Sequence, residues 1–142
     1  VKVPTPKAAL VKKLSGNLYQ GALVTKELLG ARNLLDLISV EDINRNLLIE
    51  NSYRAGVEAA KSIQAGVHHI DLHPGNVLCL PNVVYLIDFD NAKCFQNNSQ
   101  FDVIANQLIN RWDRSLIKRI PKDENIREGI SSSFKAGVYY AK

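Results

Sequence analysis

The sequence predicts an α+β fold, mostly helical with one small β-hairpin, on three observations. Apolar residues recur near a 3.6-residue period between Ile43 and Ala65, apolar residues recur at four-residue steps near the C-terminus, and two short apolar runs meet at Pro81-Asn82. At 142 residues and 46% hydrophobic content, the chain is long enough to close a single core around these elements.

In order along the chain, Val3-Pro4-Thr5-Pro6 reads as an extended lead-in, because each proline fixes its own φ and turns its predecessor away from helix. The stretch from Leu18 to Leu28 carries a strand around Ala22-Leu23-Val24-Thr25, then a polar connection through Lys26-Glu27 that Gly30 closes. Asn33 to Ile38 is a short leucine-rich helix. The long amphipathic helix from Ile43 to Ala65 would bury Leu47, Ile49, Tyr53, Val57, Ala60 and Ile63, and Gly66 is its natural stop. The hairpin pairs Asn76 to Leu80 with Val83 to Phe89. Phe101, Ile104, Leu108 and Trp112 mark the core stripe of a third helix, and Ile126, Ile130, Phe134 and Val138 that of a last one. The sequence shows no repeat and no low-complexity tract.

Composition narrows the function classes. No run approaches the roughly 20 apolar residues that span a bilayer, and the N-terminus lacks the pattern of a secretory signal, so a cytoplasmic protein is expected. Two cysteines, Cys79 and Cys94, build neither a disulfide framework nor a four-ligand zinc site, and are expected as buried or half-buried thiols. The net charge of +4 favours anionic partners without choosing among phosphate, lipid headgroup and nucleic acid. The chain contains no methionine and opens on Val1, which reads as a fragment of a longer reading frame.

The chemistry is concentrated in His69-Ile70-Asp71-Leu72-His73-Pro74-Gly75-Asn76 and Asp88-Phe89-Asp90. His69, Asp71, Leu72 and Asn76 stand at the spacing of the protein-kinase catalytic loop, written H-R-D-L-x-x-x-N, and Asp88-Phe89 follows where those enzymes place D-F-G. Phosphoryl transfer asks for a carboxylate beside the acceptor hydroxyl and hard oxygen ligands that hold Mg²⁺ against the nucleotide phosphates. Asp71 suits the first task; Asn76 and Asp88 suit the second. His69 would serve catalysis by bracing the loop through a hydrogen bond. Pro74-Gly75 turns the loop sharply, and the hairpin would return Asp88 to Asn76. Taken alone, Asp71 is better read as part of a surface turn, and it is the joint pattern that carries the functional reading. A zinc reading of His68, His69 and His73 also exists, with Pro74 and Gly75 standing against the helix it would need.

From Gly66 to Leu78, and again over Tyr85-Leu86-Ile87-Asp88-Phe89-Asp90, the chain resembles the lipopolysaccharide kinase family, above all its members acting on 3-deoxy-D-manno-octulosonic acid (Kdo), which carry D-F-D in place of D-F-G. Val3-Pro4-Thr5-Pro6, Leu23-Val24-Thr25 and Gly30-Ala31-Arg32-Asn33-Leu34 are similar to the segments leading into its interlobe hinge. Asn110-Arg111-Trp112-Asp113-Arg114-Ser115-Leu116 is similar, imperfectly, to its N-L-x-R-L-x-R-S-L element. The resemblance implies a protein-kinase-like C-terminal lobe, with residues 1–28 as lead-in and hinge strand and 29–142 as the helical lobe. It implies ATP and Mg²⁺ as cofactors, Asp71 as catalytic base, Asn76 and Asp88 as metal ligands, and the backbone of Lys26, Glu27 and Leu28 facing the adenine. Asp90 would either add a carboxylate to the metal or cap the following loop. The implied reaction moves the ATP γ-phosphate to a hydroxyl of Kdo on the lipid A precursor, an anionic glycolipid, at the cytoplasmic face of the bacterial inner membrane. Peripheral membrane contact fits that setting; no nucleic acid and no obligate protein partner are expected.

Ile70 replaces the arginine that pairs with a phosphorylated activation loop, and His73 stands where protein kinases often have lysine, so a protein substrate is not expected. No Gly-rich loop and no Val-Ala-Ile-Lys-like strand occurs, and the β-rich lobe is expected to be absent. Arg111, Arg114, Lys118 and Arg119 would form a basic helical stripe, either a solvated face or a contact for lipid phosphates. Two other functions fit the same residues: a small-molecule kinase of the aminoglycoside or choline type, which shares the His-x-Asp-Leu-His-Pro-Gly-Asn loop, and a non-catalytic pseudokinase-like fragment.

Overall fold

In the computed structural model, which describes residues 1–39, 44–96 and 100–142, the chain is α+β with small antiparallel sheets. The strands β1 (Pro6–Ser15) and β2 (Leu18–Thr25) form a first hairpin, followed by β3 (Arg32–Asn33), α1 (Leu34–Ile38) and α2 (Arg45–Gln64). Next come β4 (Val67–His68), a 3-10 turn at Pro74–Asn76, β5 (Val77–Leu80), β6 (Val83–Leu86) and β7 (Lys93–Cys94), then α3 (Phe101–Arg119) and α4 (Glu124–Tyr140).

The two C-terminal helices follow the predicted stripes. Phe101, Ile104, Leu108 and Trp112 on α3 and Ile130, Phe134 and Val138 on α4 are all buried, and Trp112 stacks on Phe134 with ring centroids 4.0 Å apart. The start of α4 is fixed by Asp123, whose carboxylate accepts the Ile126 amide at 2.9 Å.

Helix α2 has the expected period but a different buried face. Leu48, Ser52, Ala55, Ala59, Ser62 and Ile63 point inward, while Leu47 and Ile49 are exposed, contrary to the sequence reading. Close helix packing is the reason. A Cβ on Gly56 would overlap the Phe134 carbonyl oxygen and lie 2.9 Å from the Val138 amide, and one on Gly137 would overlap the Tyr53 carbonyl oxygen. With glycines facing backbone across the seam, α2 and α4 approach too closely for large side chains, and small residues line the contact. Ile43, expected to open this helix, lies outside the described residues; Asn44 caps it by accepting the Asn46 amide at 3.0 Å.

At the far end Gly66 takes φ +76°, the left-handed conformation of a helix stop. A Cβ there would sit 2.6 Å from the Phe95 carbonyl oxygen, so the glycine also admits the strand that returns as β7. That return pairs Val67 with Cys94 and His68 with Lys93, an antiparallel bridge the sequence reading missed because each strand is two residues long.

The central sheet has the order β3-β5-β6. Burial alternates along both strands of its hairpin, so Val77, Cys79, Val84 and Leu86 enter the core. The turn sets Pro81, whose ring fixes a negative φ, before Asn82 at φ +61°, the order of φ signs in a type II turn. The strands are shorter than predicted: Asn76 belongs to the 3-10 turn, and β6 stops at Leu86. Asp88 adopts φ +64°, which breaks the strand before Phe89.

Hairpin β1–β2 is exposed along its whole length, with Leu10, Val11, Leu18, Tyr19 and Leu23 all at least 55% accessible. The predicted strand near Ala22 is its second arm; the first arm, Pro6–Ser15, is not predicted as a strand, and the lead-in read at Val3–Pro6 only touches its first residue. Cys79 is buried, and burial pushes its thiol up to about 12, whereas Cys94 is exposed rather than buried or half-buried.

Candidate active site

The loop between β4 and β5 carries the predicted cluster, and its local chemistry explains its shape. His73 has extended backbone and its Nδ1 accepts the Gly75 amide at 3.0 Å, capping the 3-10 turn that begins at Pro74. Asn76 ends that turn with 7% of its surface accessible. Its Nδ2 donates to the Asp71 carbonyl oxygen at 3.2 Å and toward the Asp88 carboxylate at 3.4 Å. One amide therefore ties the loop that holds Asp71 to the carboxylate that follows β6.

Two further contacts hold the same geometry. The buried His69 ring bonds through Nε2 to the Ile87 carbonyl oxygen at 2.9 Å, and its centroid lies 4.4 Å from that of Phe89. The Ile87 amide donates to the Asn76 carbonyl oxygen at 3.0 Å. Asp88 sits between these anchors in its left-handed conformation, a strained backbone state in a non-glycine residue that persists where neighbours over-determine it. His69 is thus a brace between loop and strand. With His69 and His73 engaged in these bonds, and no cluster of three or more metal-binding His, Cys, Asp or Glu among the described residues, the zinc reading of His68, His69 and His73 is set aside.

A contact the sequence reading missed reaches Asp71 from α3. Arg111 donates through Nε to Oδ1 of Asp71 at 3.0 Å and through Nη2 to the same oxygen. This bond, with the nearby guanidinium charge, holds the Asp71 carboxyl below the usual carboxylate range against the opposing effect of burial. By sequence alone Arg111 belongs to a basic helical stripe; nothing local marks its partner, which lies 40 residues away.

All three histidines titrate below the ordinary imidazole value. Burial is the first cause in each; the Lys93 charge adds to it at His68 and that of Arg119 at His73, while the Ile87 bond opposes it at His69. The folded chain therefore binds these protons less readily than the unfolded chain. Their contribution to stability is complete above an unfolded value of about 6.5 and is lost as pH falls through the folded values. The melting temperature is accordingly expected to fall between pH 7.5 and pH 5, with a shallower fall in His69→Asn.

A cavity of about 730 Å³ opens beside Asp88. Asp88, Phe89 and Asp90 line one side, Leu86 and Ile87 continue it, and Val3, Pro4, Leu23 and Thr25 close the other. Asp90 thus shares this cavity with Asp88. Lys26, Glu27 and Leu28, the expected adenine-facing segment, do not reach the wall, which the preceding Thr25 does, and the Lys26 amide donates to the Thr5 carbonyl oxygen at 2.7 Å. Asn76 and Asp88 suit Mg²⁺ in kind: two adjacent side chains with hard oxygen atoms, one of them a carboxylate.

Comparison with known proteins adds an independent line. Residues 1–123 match the profile of the lipopolysaccharide kinase (Kdo/WaaP) family. The chain is 30% identical over 120 residues to a 3-deoxy-D-manno-octulosonic acid kinase of Vibrio parahaemolyticus, covering 84% of this chain and 48% of that protein. It is 33% identical over 96 residues to a protein of the same name from Vibrio vulnificus, covering 67% of this chain and 38% of that one. The matches thus span less than half the length of these relatives.

Proposed function

This chain belongs to the lipopolysaccharide kinase (Kdo/WaaP) family, and from that premise we propose that it carries the catalytic loop and metal-binding residues of an ATP-dependent phosphotransferase acting on a sugar hydroxyl of Kdo in the lipid A precursor. The observation that supports this most is the Asn76 side chain, bonded at once to the Asp71 backbone and directed at the Asp88 carboxylate. Phosphoryl transfer needs these groups to converge on one triphosphate, and a general base within reach of the acceptor proton.

In this reading Asp71 takes the proton of the acceptor hydroxyl as the bond to phosphorus forms. Asn76 and Asp88 would hold Mg²⁺, which supplies charge neutralisation for the nucleotide phosphates, and Asp90 lines the same cavity as Asp88. His69 keeps the loop at its distance from Ile87. Residues 29–142 would form the helical lobe of a kinase-like fold, and residues 1–28 its hinge side, with β1–β2 adding strands toward the nucleotide. The acceptor is an anionic glycolipid, which places the working protein at the cytoplasmic face of the inner membrane as a peripheral contact. No helix of the described residues is long and apolar enough to cross a membrane.

Incubation with ATP radiolabelled at the γ-phosphate and a panel of acceptors tests the reading. Mg²⁺-dependent label on the Kdo-bearing lipid A precursor, and none on aminoglycosides or choline, is the expected result. Label on the soluble amines with the glycolipid untouched would move the chain to a small-molecule kinase, and label on neither would favour a non-catalytic fragment.

A further inference from the structure

Among the described residues Arg111 is the one side chain bonding to the Asp71 carboxylate, and two of its donors, Nε and Nη2, meet the same oxygen. Oδ1 is held by two N–H groups of one guanidinium, so the carboxylate cannot spin about its χ2 axis without breaking charge-assisted hydrogen bonds. The Asp71 backbone is held independently by Asn76. Arg111 itself rises from the middle of α3, next to the fully buried Trp112, on a helix anchored in the core by Leu108, Ser115 and Leu116. Its guanidinium is thus presented from a rigid support, and the pair is partly accessible, 33% for Arg111 and 40% for Asp71, as a group that must meet an acceptor requires.

We infer that Arg111 is a positioning residue for the transfer proposed above: it fixes Asp71 through Oδ1 and leaves Oδ2 as the oxygen that accepts the proton of the acceptor hydroxyl. No covalent step involves Arg111. The acceptor proton passes to Oδ2, the alcohol oxygen forms its bond to the γ-phosphorus, and ADP leaves with the electrons of the broken bond. Orientation of this kind acts on turnover, because a carboxylate free to rotate spends most of its time outside reacting geometry. A planar two-donor clamp is also something lysine reproduces poorly.

The inference rests on the proposed phosphotransferase activity, and its test separates the two. Labelled-phosphate transfer to the Kdo-bearing glycolipid is measured for wild type, Arg111→Lys, Arg111→Ala, Asp71→Ala and the double Ala variant, alongside their melting temperatures. Arg111→Ala is expected to lower kcat about 10- to 100-fold with the KM for ATP unchanged, and Arg111→Lys or added guanidinium to regain part of the loss. In the Asp71→Ala background, Arg111→Ala should cost nothing further, because its partner is already gone. Independent, multiplying losses in the double variant would overturn the positioning role, as would a rise in KM alone, which marks an acceptor-binding arginine. The melting temperatures decide the pairing without activity: shifts in the double variant smaller than the sum of the singles support it, and additive shifts reject it. Wild-type protein that labels no acceptor counts against the proposed function, and the melting cycle then still decides whether Arg111 holds Asp71.

Discussion

Asp71→Ala should reduce phosphate transfer by about 10²- to 10⁴-fold, the usual contribution of a positioned general base, while leaving nucleotide affinity near the wild-type value. In the proposed reading the side chain faces the acceptor, and the Asn76 amide bonds to its backbone oxygen rather than to its carboxylate. Removing the carboxylate therefore leaves Asn76 and Asp88 in place. Single-turnover transfer and nucleotide titration on the same variant check both halves. Full activity would remove Asp71 from the chemistry.

The second large effect concerns stability. Gly137→Ala should destabilise the chain by about 1–3 kcal/mol or more, because its new methyl would enter the Tyr53 carbonyl oxygen, and backbone cannot swing aside as a side chain can. For a chain of this size that corresponds to a melting temperature lowered by roughly 3–10 °C. Gly129→Ala, on the same helix, is the control. Its Cβ would meet the Ile49 side chain at 3.6 Å, an ordinary contact, and alanine is the better helix former by about 1 kcal/mol. Thermal melts of the two variants should therefore move in opposite directions, and a Gly137→Ala protein as stable as wild type would refute the close α2–α4 seam.

Much of this architecture was legible beforehand because it rests on local pattern. Each apolar step along α3 and α4 is large, so four-residue spacing identified their buried faces directly. The candidate catalytic loop was legible because the proposed chemistry constrains residue type and spacing together, from His69 to Asp88. What stayed hidden depends on partners distant in sequence. The buried face of α2 is set by its own Gly56 and by Gly137 on α4, and small residues such as Ala55 and Ser52 give a weak hydrophobic signal beside Leu47 and Ile49. β1 escaped notice because both faces of its hairpin are exposed, which leaves no alternation of burial to read. The Arg111–Asp71 bond joins a helix to a loop across 40 residues, and an arginine among Arg114, Lys118 and Arg119 looks like any other solvated charge.

The site also shows why the second motif begins with a conformational break. An extended Asp88 would continue β6 and alternate away from its neighbours; its left-handed φ instead turns the carboxylate toward Asn76 while Phe89 packs on His69. The end of the strand, the anchor for His69 and the carboxylate beside Asn76 thus come from one short segment, Ile87 to Phe89.

Paramagnetic broadening tests the convergence of these residues most directly. Mn²⁺, which favours the same hard oxygen ligands as Mg²⁺, is titrated into isotope-labelled protein with a non-hydrolysable ATP analogue. Resonances of Asn76, Asp88 and the Asp71 backbone are expected to broaden first and together, and Asp88→Ala to abolish the effect. Broadening centred elsewhere on the chain, or unchanged by Asp88→Ala, would contradict a shared nucleotide-metal pocket.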